Sequence, residues 1–322
     1  MSHEHGTPVD ILAIGEPLLE FTSLVDDAGR QTYAPGFGGD TSNFAVAAAR
    51  QGARAGYFTR LGADTFGDRF VELWRREGVS AERVPRDVDA ATGIYFITHD
   101  EAGHHFTYFR AGSAASRMRP DELPLDLIER AQVLHVSGIS QAISTSACDA
   151  VFAAIDVARA AGTRVSFDPN VRLKLWPAAR ARAVVLETVA SADYCLPSLE
   201  DATTLLGDRE PDALVDALLA RGAACVALKL GRDGVLVASA DERRLVPGFA
   251  VDSVDATGAG DTFDGAFVAE MVRGAPLFAA ARYANAAAAL STRGYGAVEP
   301  IPVRGEVERF LASAGRVEQG GG

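Results

Sequence analysis

Short runs of consecutive apolar residues punctuate the chain, each ended by Gly, Pro, Asn or Ser: DILAIGE, VLHVSGIS, RVSFDPN, DYCLPS and CVALKLG. Runs without polar alternation are expected of strands covered on both faces, so these five predict a buried parallel sheet. The intervening segments ACDAVFAAIDVARAAG, ARARAVVLETVAS and EPDALVDALLARG carry apolar residues at i, i+3 and i+4, and a glycine closes two of the three. They predict helices, and strand-helix alternation implies an α/β doubly wound fold.

Two stretches leave this rhythm. Residues 16–36 and 92–112 place β-favouring residues on either side of DDAG and DEAG, which predicts two hairpins. Paired with each other, they would form a small sheet over a cleft, a lid. The expected division is a core of 9–15, 37–91 and 113–315, a lid of 16–36 and 92–112, and a disordered tail at 316–322.

Composition narrows the partners. The chain has 322 residues, 48% hydrophobic and 23% charged, and a net charge of −12. That size and balance suit one large domain with a sizeable core. The negative charge argues against a nucleic acid or an anionic membrane as partner. No apolar run is long enough to span a bilayer and the first residues lack a signal-peptide pattern, so a cytoplasmic location is expected. Cys148, Cys195 and Cys225 are far apart and read as buried thiols. With that net charge an acidic small substrate would need its own local cations, and of 31 basic residues only Lys174 and Lys229 are lysines.

The densest chemistry lies in DATGAGDTFDGAF, residues 255–267. Gly258, Ala259 and Gly260 are small enough for their amides to approach a ligand, at the start of a helix expected to end at Gly274. A helix N-terminus offers unpaired N–H donors and a partial positive charge, an anion site. Asp261 beside those donors can accept a proton from an attacking hydroxyl. By itself a GxGD segment is more commonly a turn with a capping residue. The segment resembles the second signature of the ribokinase-like carbohydrate kinases, the PfkB family. The first signature of that family is resembled by GFGGDTSNFAVAAARQGA at 36–53, where Gly38, Gly39, Asp40 and Asn43 would meet the sugar.

The resemblance runs over about residues 9–315 and implies a ribokinase-like αβα sandwich with a β-sheet lid, using ATP and Mg2+. LKLGRDG at 228–234 resembles the nucleotide segment, with Lys229, Gly231 and Gly234 against phosphates and ribose. YANAAAALSTRGYGA at 283–297 resembles the helix closing the adenine pocket, with Asn285 near the base. Asp255 and Thr257 fall where some relatives bind a monovalent cation such as K+. One departure stands in LPSLEDA at 196–202, where Ser198 and Asp201 replace the Asn and Glu of an N-x-x-E motif that organises the metal. Asp201 keeps a carboxylate at shorter reach, and Glu200 is an alternative.

For the substrate, Arg110 and Arg172 stand at the ends of the second hairpin and of a core strand, and a guanidinium fork suits a carboxylate. Either could equally be surface charge or a phosphate contact. TGIYF, YFRAGSAAS and DPNVRLKLW resemble the corresponding segments of 2-keto-3-deoxygluconate kinases, which implies that Gly38, Asp40, Tyr95, Tyr108, Arg110 and Arg172 contact an acidic sugar. The alternatives are a fructokinase or ribokinase acting on a neutral sugar, and a non-catalytic sugar or nucleotide sensor. Exposed lid strands predict a homodimer or a dimer-based oligomer.

Overall fold

The computed structural model describes residues 9–25, 29–100 and 103–320. Its main sheet has eight strands, in the order Arg243–Pro247, Gly234–Ser239, Cys225–Lys229, Tyr194–Cys195, Arg164–Asp168, Val133–Ser137, Ile11–Ile14 and Ala55–Phe58. The five apolar runs supply its parallel centre. Ala55–Phe58 adds a further parallel strand at one edge, and two antiparallel strands extend the other.

Alternation along each strand divides the core into two layers. Leu12 and Ile14 pack into one, with Phe167, Val226 and Leu228. Ile11 and Ala13 enter the other, with Phe44, Phe267 and Ala227. Helices cover both faces, as buried parallel strands require. Helix Thr145–Ala161 shows how the sequence sets its ends. Ser144 accepts from the Ala147 amide at the start, and Gly162 closes the helix in a left-handed conformation.

Leu18–Val25 pairs antiparallel with Gln31–Gly38, and Ile94–Asp100 with Gly103–Phe109. The two hairpins join through a parallel pairing that sets Glu20 opposite Tyr95, giving the four-stranded second sheet expected from residues 16–36 and 92–112. Parts of both turns, 26–28 and 101–102, lie outside the described residues. The last helix runs Arg304–Gly320 and so takes in most of the 316–322 tail, while 321–322 lie outside the described residues. The three cysteines are free and buried.

Candidate active site

The parallel strands end along one rim of the sheet, where open α/β sheets place their ligands. Asp168 closes Arg164–Asp168, Lys229 closes Cys225–Lys229, and Glu16 follows Ile11–Ile14 by two residues.

Helix Ala259–Val272 starts at the same rim. Its N-cap, Gly258, sits at φ 73, and no side chain caps the helix. A Cβ on Gly258 would lie 2.9 Å from the Ala297 carbonyl oxygen, so both the backbone angle and the space demand glycine. The Ala259 amide is bonded to the Ala256 carbonyl at 3.2 Å. Of the expected amides at 258–260, Ala259 is therefore engaged, and among the described residues those of Gly258, Gly260 and Asp261 have no backbone acceptor.

Asp261 lies in the first turn and accepts a hydrogen bond from Asn43 Nδ2 at 2.8 Å. Asn43 comes from helix Asp40–Arg50, and the two helices approach this closely because Gly265 has no side chain. A Cβ there would stand 2.6 Å from the Phe44 carbonyl oxygen and 2.7 Å from Ala47 Cβ. Burial, together with Asp40 and Asp168, pushes the Asp261 carboxyl up to about 7 against the opposing pull of Asn43 and Lys229. A carboxyl tuned near neutrality suits general-base work.

The surrounding groups are polar and buried. Asn170, at φ 34, donates to Asp40 Oδ2 at 3.1 Å. Left-handed backbone is costly for a residue with a side chain, and such strain gathers at functional sites. Asp40 Oδ1 and Asn43 Oδ1 are buried without a donor. Two unpaired acceptors flanking a would-be base fit a ligand that brings hydroxyls.

On the lid side, Tyr95 donates to the buried Glu20 carboxylate and stacks on Tyr108 at 5.5 Å between ring centroids. Gly38 lies beneath the Tyr95 hydroxyl, which a Cβ would meet at 2.6 Å. Gly39, at φ 99, turns the chain into helix Asp40–Arg50. Arg110 Nε bonds Glu16 Oε2 at 2.7 Å, and Ser113 bonds the other Glu16 oxygen. Glu16 is 1% exposed. Burial raises its carboxyl, with Arg110 and Ser113 opposing.

Several expected residues hold protein groups instead of an open cleft. Arg110 is committed to Glu16, whereas Arg172 is half-exposed, bonds only the Val171 carbonyl at 3.0 Å and lies 4.0 Å from Asp201. Lys229 bridges Asp168 and Asp264. Asn285 donates to the Val246 and Pro247 carbonyls, both at 3.0 Å, and ties its helix to the edge strand. Gly231 and Gly234 shape the turn between Cys225–Lys229 and Gly234–Ser239, where a Cβ on Gly234 would lie 2.1 Å from the Val246 carbonyl oxygen. Asp255 accepts from Thr257 N and Oγ1 and from the Gly296 amide, stapling the loop before the helix mouth.

The departure at Ser198 and Asp201 has a physical reason. The two residues form a reciprocal capping box at the start of helix Leu199–Leu206. Asp201 spends its other oxygen on the Val171 amide at 2.7 Å. Glu200, exposed in the same turn, is the carboxylate left open.

Sequence reasoning missed Asp168, Asn170, Asp264, Glu16 and Glu20. Asp264 had a signal in its i+3 spacing from Asp261. Asp168 and Asn170 closed a strand already recognised. For Glu16 and Glu20 no local pattern marks a buried carboxylate.

The pfkB family carbohydrate kinase profile matches residues 10–304. The 2-dehydro-3-deoxygluconokinase of Bacillus subtilis is 33% identical over 89% of this chain and 90% of its own length. Fructokinase-2 of Oryza sativa is 32% identical over 94% of both chains. Among solved structures, an E. coli protein described as a ribokinase II, in complex with ATP and Mg2+, superposes with a TM-score of 0.87 at 27% identity, covering 95% of this chain and 99% of that one. The likeness spans both signatures and the rim on which Asp261 sits, so the chain belongs to the pfkB family of carbohydrate kinases and is a phosphotransferase acting on a sugar.

Proposed function

We propose that the protein transfers the γ-phosphoryl group of ATP to the terminal primary hydroxyl of 2-keto-3-deoxygluconate (2-dehydro-3-deoxygluconate), giving 2-keto-3-deoxy-6-phosphogluconate. The observation that carries the chemistry is Asp261, oriented by Asn43 at 2.8 Å beside uncapped helix amides. Asp261 takes the hydroxyl proton as the oxygen attacks the γ-phosphorus and ADP leaves. The amides of Gly258, Gly260 and Asp261 meet the charge on the transferring oxygens. Asp40 and Asn43 hold sugar hydroxyls, and closure of the lid keeps water out.

Mg2+ supplies charge neutralisation on the phosphates. Among the described residues no cluster of three or more ligating side chains could hold a metal alone. That fits an ion held mainly by phosphates and water with one or two carboxylates. Glu200 is the open candidate, and Asp201 would have to release its cap to take part. Asp255 and Thr257 with nearby carbonyls are the candidate oxygens for a monovalent cation such as K+.

The acidic sugar is supported by the deoxygluconokinase relative and by Arg172, whose remaining guanidinium donors suit a carboxylate. A neutral sugar such as fructose is the second reading. It is favoured by the fructokinase relative and by two details of the lid, the buried Glu20 carboxylate and the neutralisation of Arg110 by Glu16. Comparing kcat/KM for 2-keto-3-deoxygluconate, fructose and ribose with ATP separates them. The proposal expects the acidic sugar to lead by at least about tenfold, and Arg172→Ala to lower kcat/KM for it by about 10- to 100-fold, the loss of one charged hydrogen-bonding group. A lead for fructose, unaffected by Arg172→Ala, overturns the acidic substrate. We further propose a cytoplasmic location and a homodimer or dimer-based oligomer formed through the lid.

A further inference from the structure

Behind Asp261, three charged side chains from three elements meet. Lys229 Nζ stands 2.9 and 3.0 Å from the two oxygens of Asp264 and 3.3 Å from Asp168 Oδ2. The side chains of Lys229, Asp168 and Asp264 are 13%, 6% and 1% exposed. An ammonium has three donors, and three carboxylate oxygens surround this one, so none is left for a nucleotide phosphate.

We propose that Lys229, clamped by Asp168 and Asp264, is a positioning residue that seats the first turn of helix Ala259–Val272 on the strand ends and sets the charge felt by Asp261. The proposal rests on the reading of Asp261 as the base. Asp264 lies one turn beyond Asp261, so the clamp fixes the rotation of the turn that carries both the base and the open amides. Removing one member of a buried ion pair leaves the others uncompensated, which gives this position leverage over its neighbours. The groups acting on Asp261 are Asp40 and Asn43 from helix Asp40–Arg50, Asp168 and Lys229 from the strand ends and Tyr95 from the lid, while Asp264, one turn along the same helix, is bonded to Lys229. Asp168 drives the Asp261 carboxyl up and Lys229 drives it down, so their removal has opposite signs.

The test follows the carboxyl carbon of Asp261 by NMR in protein labelled with 13C-aspartate, its resonance assigned by loss in Asp261→Asn. It compares wild type, Asp168→Asn and Lys229→Met. The expected result is a titration midpoint about one pH unit lower in Asp168→Asn and about one unit higher in Lys229→Met, the order for one nearby charge at an effective dielectric of about 20. The acidic limb of the kcat/KM profile should move with it, and the KM for ATP should change less than about threefold. If Lys229→Met does not fold, Lys229→Gln, which keeps a donor for both carboxylates, carries the same expectation. Midpoints that stay put, or shift the same way in both variants, overturn the proposal, as does a large rise in the KM for ATP in the lysine variant. The NMR readout needs no turnover. Opposite shifts in a protein that phosphorylates no sugar would sink the functional reading and leave the coupling standing.

Discussion

As the proposed base, Asp261 would concentrate the chemistry in one carboxyl group, and its environment makes a directional prediction. Burial and neighbouring aspartates raise it to about 7, so the ionised base is lost as pH falls through that value. The kcat/KM profile should therefore drop on the acid side with a limb near pH 7, about tenfold per unit below it. Asp261→Asn keeps the partner for Asn43 but cannot take a proton. Turnover in that variant should fall by about 100- to 10,000-fold, with sugar binding by calorimetry nearly unchanged. Retained turnover would remove Asp261 as the base. The sequence exposed this residue because a short acid after small residues at a helix start is a local pattern. The clamp on Lys229 was not legible because its partners, Asp168 and Asp264, are 61 and 35 residues away, a relation no window contains.

Two elements meet at Gly265, and the distance between them decides whether Asn43 reaches the proposed base, Asp261. Gly265→Ala would put a Cβ within 2.6 Å of the Phe44 carbonyl oxygen. It should push helices Asp40–Arg50 and Ala259–Val272 apart, cost about 1–3 kcal/mol by overpacking, and lower kcat more than the KM for ATP. Denaturant melts and steady-state kinetics read these separately, and unchanged stability would contradict the packing seen here. Helix Leu199–Leu206 gives a second test. Asp201→Ala leaves the Val171 and Ser198 amides without their acceptor, which should cost about 1–3 kcal/mol. If the capping role is the whole role, the Mg2+ concentration for half-maximal activity should stay put. A large rise would return Asp201 to the metal site. The three helices and five central strands named from the sequence were legible because each announces itself by its apolar pattern, while the crossing of helices Asp40–Arg50 and Ala259–Val272 left no trace beyond a glycine.

At the scale of the molecule, the lid sheet leaves large apolar groups open: Leu24 is 51%, Phe106 44% and Phe109 60% exposed. Such a sheet is a liability unless another surface covers it. Light scattering coupled to size exclusion should show a dimer at micromolar concentration, and Phe106→Ser with Phe109→Ser should shift it toward monomer. A wild-type monomer under these conditions would refute pairing through the lid.

The sequence by itself determined the layer architecture, the two-hairpin sheet and the aspartate at the helix mouth. These follow from local pattern: apolar runs, 3.6-residue periodicity, turn residues and small residues at a cap. Tertiary structure alone decided which charges are spent on one another. Glu16 takes Arg110, two aspartates take Lys229, and an Asp201 oxygen takes the Val171 amide, leaving the Arg172 side chain half-exposed. The physical reason is that a charge removed from water must find a partner in space, and which residue lies within about 3 Å is fixed by packing between elements distant in the chain.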